Sequence, residues 1–226
     1  MAIIVATHNG WDYIERHLAS WQQYGTDGHR VVVMETGASS VEYLDYLNNL
    51  KERRWGFSLS IRMTPCVGYD TGAYLWAYNT MPEEDEFLFC HDSMKVKRPG
   101  VMGDFRRINE EIGGGCVPWL VFRQNGYQNQ DQVDFVSKYL PTTDLPGFGI
   151  FGPIFYTARK PMSKVLSFVG GAIPSNKNEQ EAMERGWAIA FAMEKVPVKA
   201  LDGDFHGPMV HNDMYPSFTK YLPQRQ

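Results

Sequence analysis

The feature that most constrains this chain is the alternation of short apolar runs with amphipathic stretches over residues 1–95. Ala2–Ala6 is continuously apolar, the pattern of a strand buried on both faces. The turn cluster Thr7-His8-Asn9-Gly10 follows. From Trp11 to Tyr24, Trp11, Ile14, Leu18 and Trp21 then fall three or four residues apart, which is helical spacing. Gly25 and Gly28 stop that helix, and Arg30–Met34 reads as a second buried strand. Ser40 is placed to cap a second helix from Val41 to Arg53. Phe57–Met63 predicts a third strand, Thr71–Tyr78 a third helix and Glu86–Cys90 a fourth strand. This alternation implies parallel β-α-β units and a doubly wound α/β sheet covered on both faces. Such sheets bind ligands beyond the carboxyl ends of their strands. That singles out His8 and Asn9, Glu35 and Thr36, and His91, Asp92 and Ser93.

Beyond Asp92 the rhythm weakens. A basic group (Lys95, Lys97, Arg98, Arg106, Arg107) precedes Gly113-Gly114-Gly115. Val117–Phe122 predicts a strand, Asn125–Gln132 a polar loop and Pro141–Gly152 a long irregular segment. Gln180–Met193 predicts a last helix and Val196–Leu201 a last strand. No repeat or boundary interrupts the chain, so the expectation is one domain over 1–226, a conventional half (1–95) followed by an irregular one (96–226).

A chain of 226 residues buries enough surface to hold a core without disulfides. Its three cysteines, Cys66, Cys90 and Cys116, are odd in number and far apart, which argues against a disulfide framework or structural zinc. A reducing, cytoplasmic setting is the expectation. No apolar run approaches the ~18 residues of a membrane span, and the first residues enter a strand directly, so stable membrane insertion is not expected. A net charge of −4 argues against a non-specific nucleic-acid binder. The basic group reads as a solvated face, or as a local contact for a diphosphate or polyanionic acceptor.

The order of post-strand motifs resembles the GT-A fold of nucleotide-sugar glycosyltransferases, especially the family 2-like group. The resemblance rests on four segments in sequence: Val5-Ala6-Thr7-His8-Asn9; Val33-Met34-Glu35-Thr36-Gly37-Ala38-Ser39; Gly68-Tyr69-Asp70-Thr71-Gly72-Ala73; and Phe87-Leu88-Phe89-Cys90-His91-Asp92-Ser93. It covers the first 95 residues. It implies a GT-A-like, Rossmann-like central sheet, mostly parallel and flanked by helices, with an irregular C-terminal acceptor-binding half. The implied activity is transfer of a sugar from a nucleoside diphosphate sugar to a hydroxyl on a glycan or other acceptor, nucleic acid being the least favoured.

By that resemblance Thr7, Asn9, Glu35, Asp70, Gly72, His91 and Ser93 would contact the donor. Asp92 would hold a Mn²⁺ or Mg²⁺ ion against the diphosphate, whose charge must be neutralised as the sugar–phosphate bond breaks. The family's motif has two acidic residues where this chain has His91-Asp92-Ser93, so a further ligand is expected, and His206 is preferred over His211. An acceptor hydroxyl also needs a carboxylate base in inverting enzymes. Glu179 and Glu181, at the start of the late helix, are the matches, and Asp144 is a rival. Each also fits a solvated surface. Two other readings stay open: a nucleotidyltransferase, disfavoured because Thr7-His8-Asn9-Gly10-Trp11 carries no Lys or Arg, and a non-catalytic sugar- or nucleotide-binding module of the same fold.

Overall fold

A computed structural model describes residues 1–38, 40–65, 68–123, 126–205 and 214–220. The first half follows the predicted alternation: β1 (Ala2–Thr7), α1 (Trp11–Tyr24), β2 (Arg30–Glu35), α2 (Val41–Glu52), β3 (Leu59–Met63), α3 (Tyr69–Thr80) and β4 (Glu86–His91). Ser40 caps α2, accepting the Tyr43 N–H at 3.2 Å. Gly25 ends α1 with φ +86°, a conformation that favours glycine.

The second half is more regular than expected. It contributes β5 (Met94–Val96), α4 (Val101–Glu111), β6 (Cys116–Pro118), β7 (Val121–Phe122), α5 (Gln130–Ser137), β8 (Gly149–Ile150), β9 (Phe155–Ala158), α6 (Arg159–Val169), α7 (Lys177–Met193), β10 (Asp204–Phe205) and β11 (Phe218–Lys220). The basic stretch after Lys95 forms α4, which buries Val101, Met102, Phe105 and Ile108 at helical spacing. Helix α5 starts inside the Gln/Asn-rich segment, with Asn129 as its cap.

Two expected strands are corrected. Val117–Phe122 splits into β6 and β7, which belong to different sheets; Pro118, lacking an N–H, closes β6. Val196–Leu201 runs beside β6 with a single bridge, Cys116 to Val198: Pro197 has no amide to donate before it and Pro118 none after it, although the Leu201 N–H still reaches Pro118 O.

The central sheet has the order β3-β2-β1-β4-β9-β6. Strands β1 to β4 are mutually parallel, and β9 runs antiparallel to both β4 and β6. Alternate residues of the buried strands face opposite cores. Ile4, Val32 and Phe89 pack with α3 and α7, while Ile3, Val33 and Leu88 pack with α1, α2 and α4. The strands are therefore apolar throughout, and polar groups gather at their ends. Among the described residues no helix is long and apolar enough to cross a membrane.

Candidate active site

In the parallel register Thr7 lies beside Glu35 and Ala6 beside His91, so β1, β2 and β4 end level with one another. The Asp92 N–H donates to Ala6 O at 3.0 Å and the Thr36 N–H to Thr7 O at 3.0 Å, extending that register one residue past the strand ends. Above these ends lies a cavity of about 580 Å³. It is lined from β1 and its turn by Thr7, His8, Asn9 and Gly10, from α3 by Tyr69 and Asp70, and from the β4 end by His91, Asp92 and Ser93. The second half closes it with Gly152, Lys177, Gln180, Glu181, Glu184 and Lys220.

Asp92 is anchored by Thr7, whose Oγ1 donates to its Oδ2 at 2.5 Å. Loss of water around the carboxyl, with a smaller contribution from the nearby carboxylate of Asp70, pushes its pKa up to about 7. Asp70 is itself pushed up to about 6 by desolvation, and the Gln180 side-chain amide donates to it at 3.4 Å. Ser93 Oγ and His91 Nδ1 lie 2.9 Å apart, and burial holds the His91 imidazole far below its ordinary pKa.

Glu35 lies beneath the turn, fully buried. Its carboxylate accepts the Gly37 N–H at 2.7 Å, the Asn9 N–H at 3.3 Å and the Tyr43 hydroxyl, and burial raises its pKa. The same Tyr43 oxygen accepts the Gly10 N–H at 2.9 Å. Asn9 Nδ2 donates to Gly37 O at 2.8 Å, holding Asn9 at φ +54°. Tyr69 is also left-handed, at φ +47°, and its ring stacks on His8 at 5.2 Å. Non-glycine residues in this region persist where surrounding contacts over-determine them, as they do around functional sites. Glu35 thus shapes the turn from below, while His8, Asn9 and Tyr69 form the wall a ligand meets.

The remaining sequence-selected residues separate. Glu181 lines the cavity, its Oε1 4.0 Å from Lys177 Nζ. Glu179 does not: its carboxylate accepts the Ser175 N–H at 2.6 Å and hydroxyl at 2.7 Å, tying the residue before the Asn176 cap to the first turn of α7. Asp144 is exposed and outside the cavity lining. Gly72 lies on α3 behind the wall, where a Cβ on Gly68 would come 2.9 Å from its Cα. His206 and His211 fall outside the described residues.

The basic group is engaged elsewhere. Arg98 pairs with Asp104, Arg106 with Glu86 and Arg107 with Glu111, and Lys97 donates to Tyr215 O.

Three charged cavity residues escaped the sequence reading. Lys177 and Glu184 share a helical spacing with Glu181, a signal that places them on one face of α7. Lys220, delivered by β11, had no local signal.

Among the described residues no three His, Cys, Asp or Glu side chains form a metal-binding cluster. Magnesium-type sites commonly use one or two carboxylates and take their other ligands from substrate phosphates and water. Asp92 and Asp70, two desolvated carboxylates on one cavity, fit that pattern.

Neither a protein-family model nor a curated protein sequence matches the chain. Its fold does match solved structures. Core-mannan synthase A (CmsA/Ktr4) from Aspergillus fumigatus, in an Mn/GDP form, aligns with a TM-score of 0.51 at 8% identity over 88% of this chain and 72% of that one. TarS 1–349 of S. aureus in complex with UDP-GlcNAc gives 0.51 at 13% identity, over 92% of this chain and 59% of that one. GalNAc-T7 with UDP, GalNAc and Mn²⁺ gives 0.55 at 12% identity, over 82% of this chain and 40% of that one. The chain therefore spans about half the length of the latter two. It has the GT-A glycosyltransferase fold, a mixed α/β architecture around a mostly parallel sheet.

Proposed function

We propose that this protein transfers a sugar from a nucleoside diphosphate sugar to an acceptor hydroxyl, assisted by a divalent cation. The observation that carries the reading is the convergence, at the level ends of β1, β2 and β4, of the His8–Tyr69 wall, the Thr7–Asp92 pair and Asp70 in one cavity. Glycosyltransferases of this fold, with bound GDP, UDP-GlcNAc or UDP and Mn²⁺, support it.

The nucleoside end lies against the β1 turn, where Asn9 and the His8–Tyr69 stack offer a hydrogen-bonding edge and a ring face. The diphosphate lies toward Asp92 and Asp70, which would hold Mn²⁺ or Mg²⁺; such an ion supplies positive charge to the leaving diphosphate. Thr7 keeps the Asp92 carboxylate aimed into the cavity through its 2.5 Å bond.

Helix α7 faces the sugar and acceptor. Glu184 already accepts the Gly152 N–H at 3.1 Å. Glu181, with its side chain 32% exposed, is the carboxylate an acceptor hydroxyl reaches, and it takes that hydroxyl's proton. The acceptor oxygen then bonds to the anomeric carbon as the carbon–phosphate-oxygen bond breaks, its electron pair leaving with the nucleoside diphosphate.

Incubating the protein with UDP-, GDP-, ADP- and dTDP-linked sugars and Mn²⁺, then separating the nucleotides, tests the reading. Release of one nucleoside diphosphate, lost in Asp92→Asn, is expected. Absence of release and of binding for every donor would sink it.

A further inference from the structure

The cavity gathers four carboxylates, Asp70, Asp92, Glu181 and Glu184, and also two ammonium groups, Lys177 and Lys220. Lys177 is exposed at the start of α7, but Lys220 is half-buried in the cavity wall. It arrives on β11, whose antiparallel register with β5 sets Lys220 opposite Met94, two residues beyond Asp92. A short ladder therefore joins this ammonium to the turn that carries the candidate metal carboxylate.

Opposite that turn, Gly152 has φ +60° and no side chain. A Cβ there would stand 3.1 Å from His91 Nε2 and 3.8 Å from Lys220 Nζ. Two nitrogens from separate strands thus face one bare backbone position. His91 Nδ1 is engaged with Ser93 Oγ, so Nε2 is the ring nitrogen presented there. The Lys220 chain packs its Nζ 5.4 Å from the Phe151 ring, and desolvation lowers its pKa while Glu184 and Asp70 oppose that shift. An ammonium in such surroundings is costly unless an anion meets it there.

We propose that Lys220 Nζ and His91 Nε2, converging beside Gly152, bind the diphosphate of the donor, and that Lys220 neutralises the phosphate oxygen that departs with the electron pair of the broken sugar–oxygen bond. This rests on the glycosyl-transfer reading and extends it: Lys220 is a catalytic residue, and the anionic subsite is shared between it and the Asp92 turn. If Lys220 were simply a counterion for Glu184, it would stabilise the fold without distinguishing one phosphate from two.

Titration calorimetry with UDP, UMP, GDP and GMP, each with and without Mn²⁺, separates these roles. The wild-type protein is expected to prefer one diphosphate over its monophosphate by about tenfold or more, the worth of a charge-assisted hydrogen bond. In Lys220→Met that preference collapses while monophosphate affinity holds, and Lys220→Arg restores most of it. Because Lys220→Met leaves Glu184 without its neighbouring cation, the double variant Lys220→Met/Glu184→Gln is measured beside it and should show the same collapse. An unchanged preference in both variants, or an equal loss for monophosphate and diphosphate, overturns the subsite and leaves glycosyl transfer standing. Failure of the wild-type protein to bind any of the four nucleotides, together with failure of every donor sugar nucleotide in the release assay, overturns both readings.

Discussion

Thr7 Oγ1 and Asp92 Oδ2, 2.5 Å apart, tie the last residue of β1 to the first residue beyond β4. The bond has room to exist because residue 10 is glycine: a Cβ there would lie 1.9 Å from Asp92 Oδ2 and 2.3 Å from Thr7 Oγ1. Gly10→Ala must displace one partner or shift the start of α1. It should cost about 1–3 kcal/mol, the usual penalty for overpacking. Chemical denaturation gives that cost, and nucleotide binding measured on the same variant should be weakened.

Asp92→Asn should act in opposite directions on stability and on function. The desolvated carboxyl, its pKa raised to about 7, is only partly ionised at neutral pH, because its charged form is costly in those surroundings. An amide removes that cost and still accepts from Thr7. The melting temperature of the ligand-free variant should therefore rise, while metal-dependent stabilisation by a sugar nucleotide disappears. A fall in melting temperature comparable to a lost buried hydrogen bond would show that the charge is structural.

Glu179 and Glu181 are two residues apart and should differ sharply. Glu179→Ala removes the carboxylate that accepts from Ser175 and should cost about 1 kcal/mol, as lost helix caps do, with kcat unchanged. Glu181→Gln should lower kcat by about 10²–10⁴ with the KM for the donor little changed, the signature of a base acting on the acceptor. Steady-state kinetics beside thermal melts reads both.

Outside the cavity lining, His17 on α1 gives the fold an acid sensitivity of its own. The ring is fully buried, with Nδ1 2.8 Å from Met94 O and Nε2 accepting the Trp21 indole N–H at 3.0 Å. That arrangement requires the neutral ring, with its proton on Nδ1. Burial lowers its pKa from 6.5 to about 4. Between these values the unfolded chain binds the proton and the folded chain does not, so stability falls as pH drops from about 6.5 to about 4, then levels off. The loss from this group approaches about 3 kcal/mol. Urea titrations across that range should show it in the wild-type protein and a flatter profile in His17→Gln.

The α/β alternation of the first half was legible because parallel strands buried on both faces read as unbroken apolar runs, and their helices show the 3.6-residue period. The strand ends were legible for the same reason: Thr7, Glu35 and Asp92 are where those runs stop. In the second half the described strands are short, none longer than four residues. β7, β8 and β10 are two residues each and carry no periodicity, so only pairing with distant partners makes them strands. The basic stretch after Lys95 read as a surface run, and its arginines do pair at the surface: Asp104 and Glu111 lie on α4 itself, while Glu86, which engages Arg106, comes from β4.

By itself, then, the sequence determined the layer architecture and the level at which polar groups emerge from the sheet, because both follow from local hydrophobic period. Tertiary structure alone decided which late residues face that level. Lys220 reaches the cavity through a β11–β5 ladder, and the α7 face that carries Glu181 and Glu184 turns to it because α7 packs against α5 and β8. These are long-range pairings whose partners lie far apart in the chain, and no local propensity encodes them.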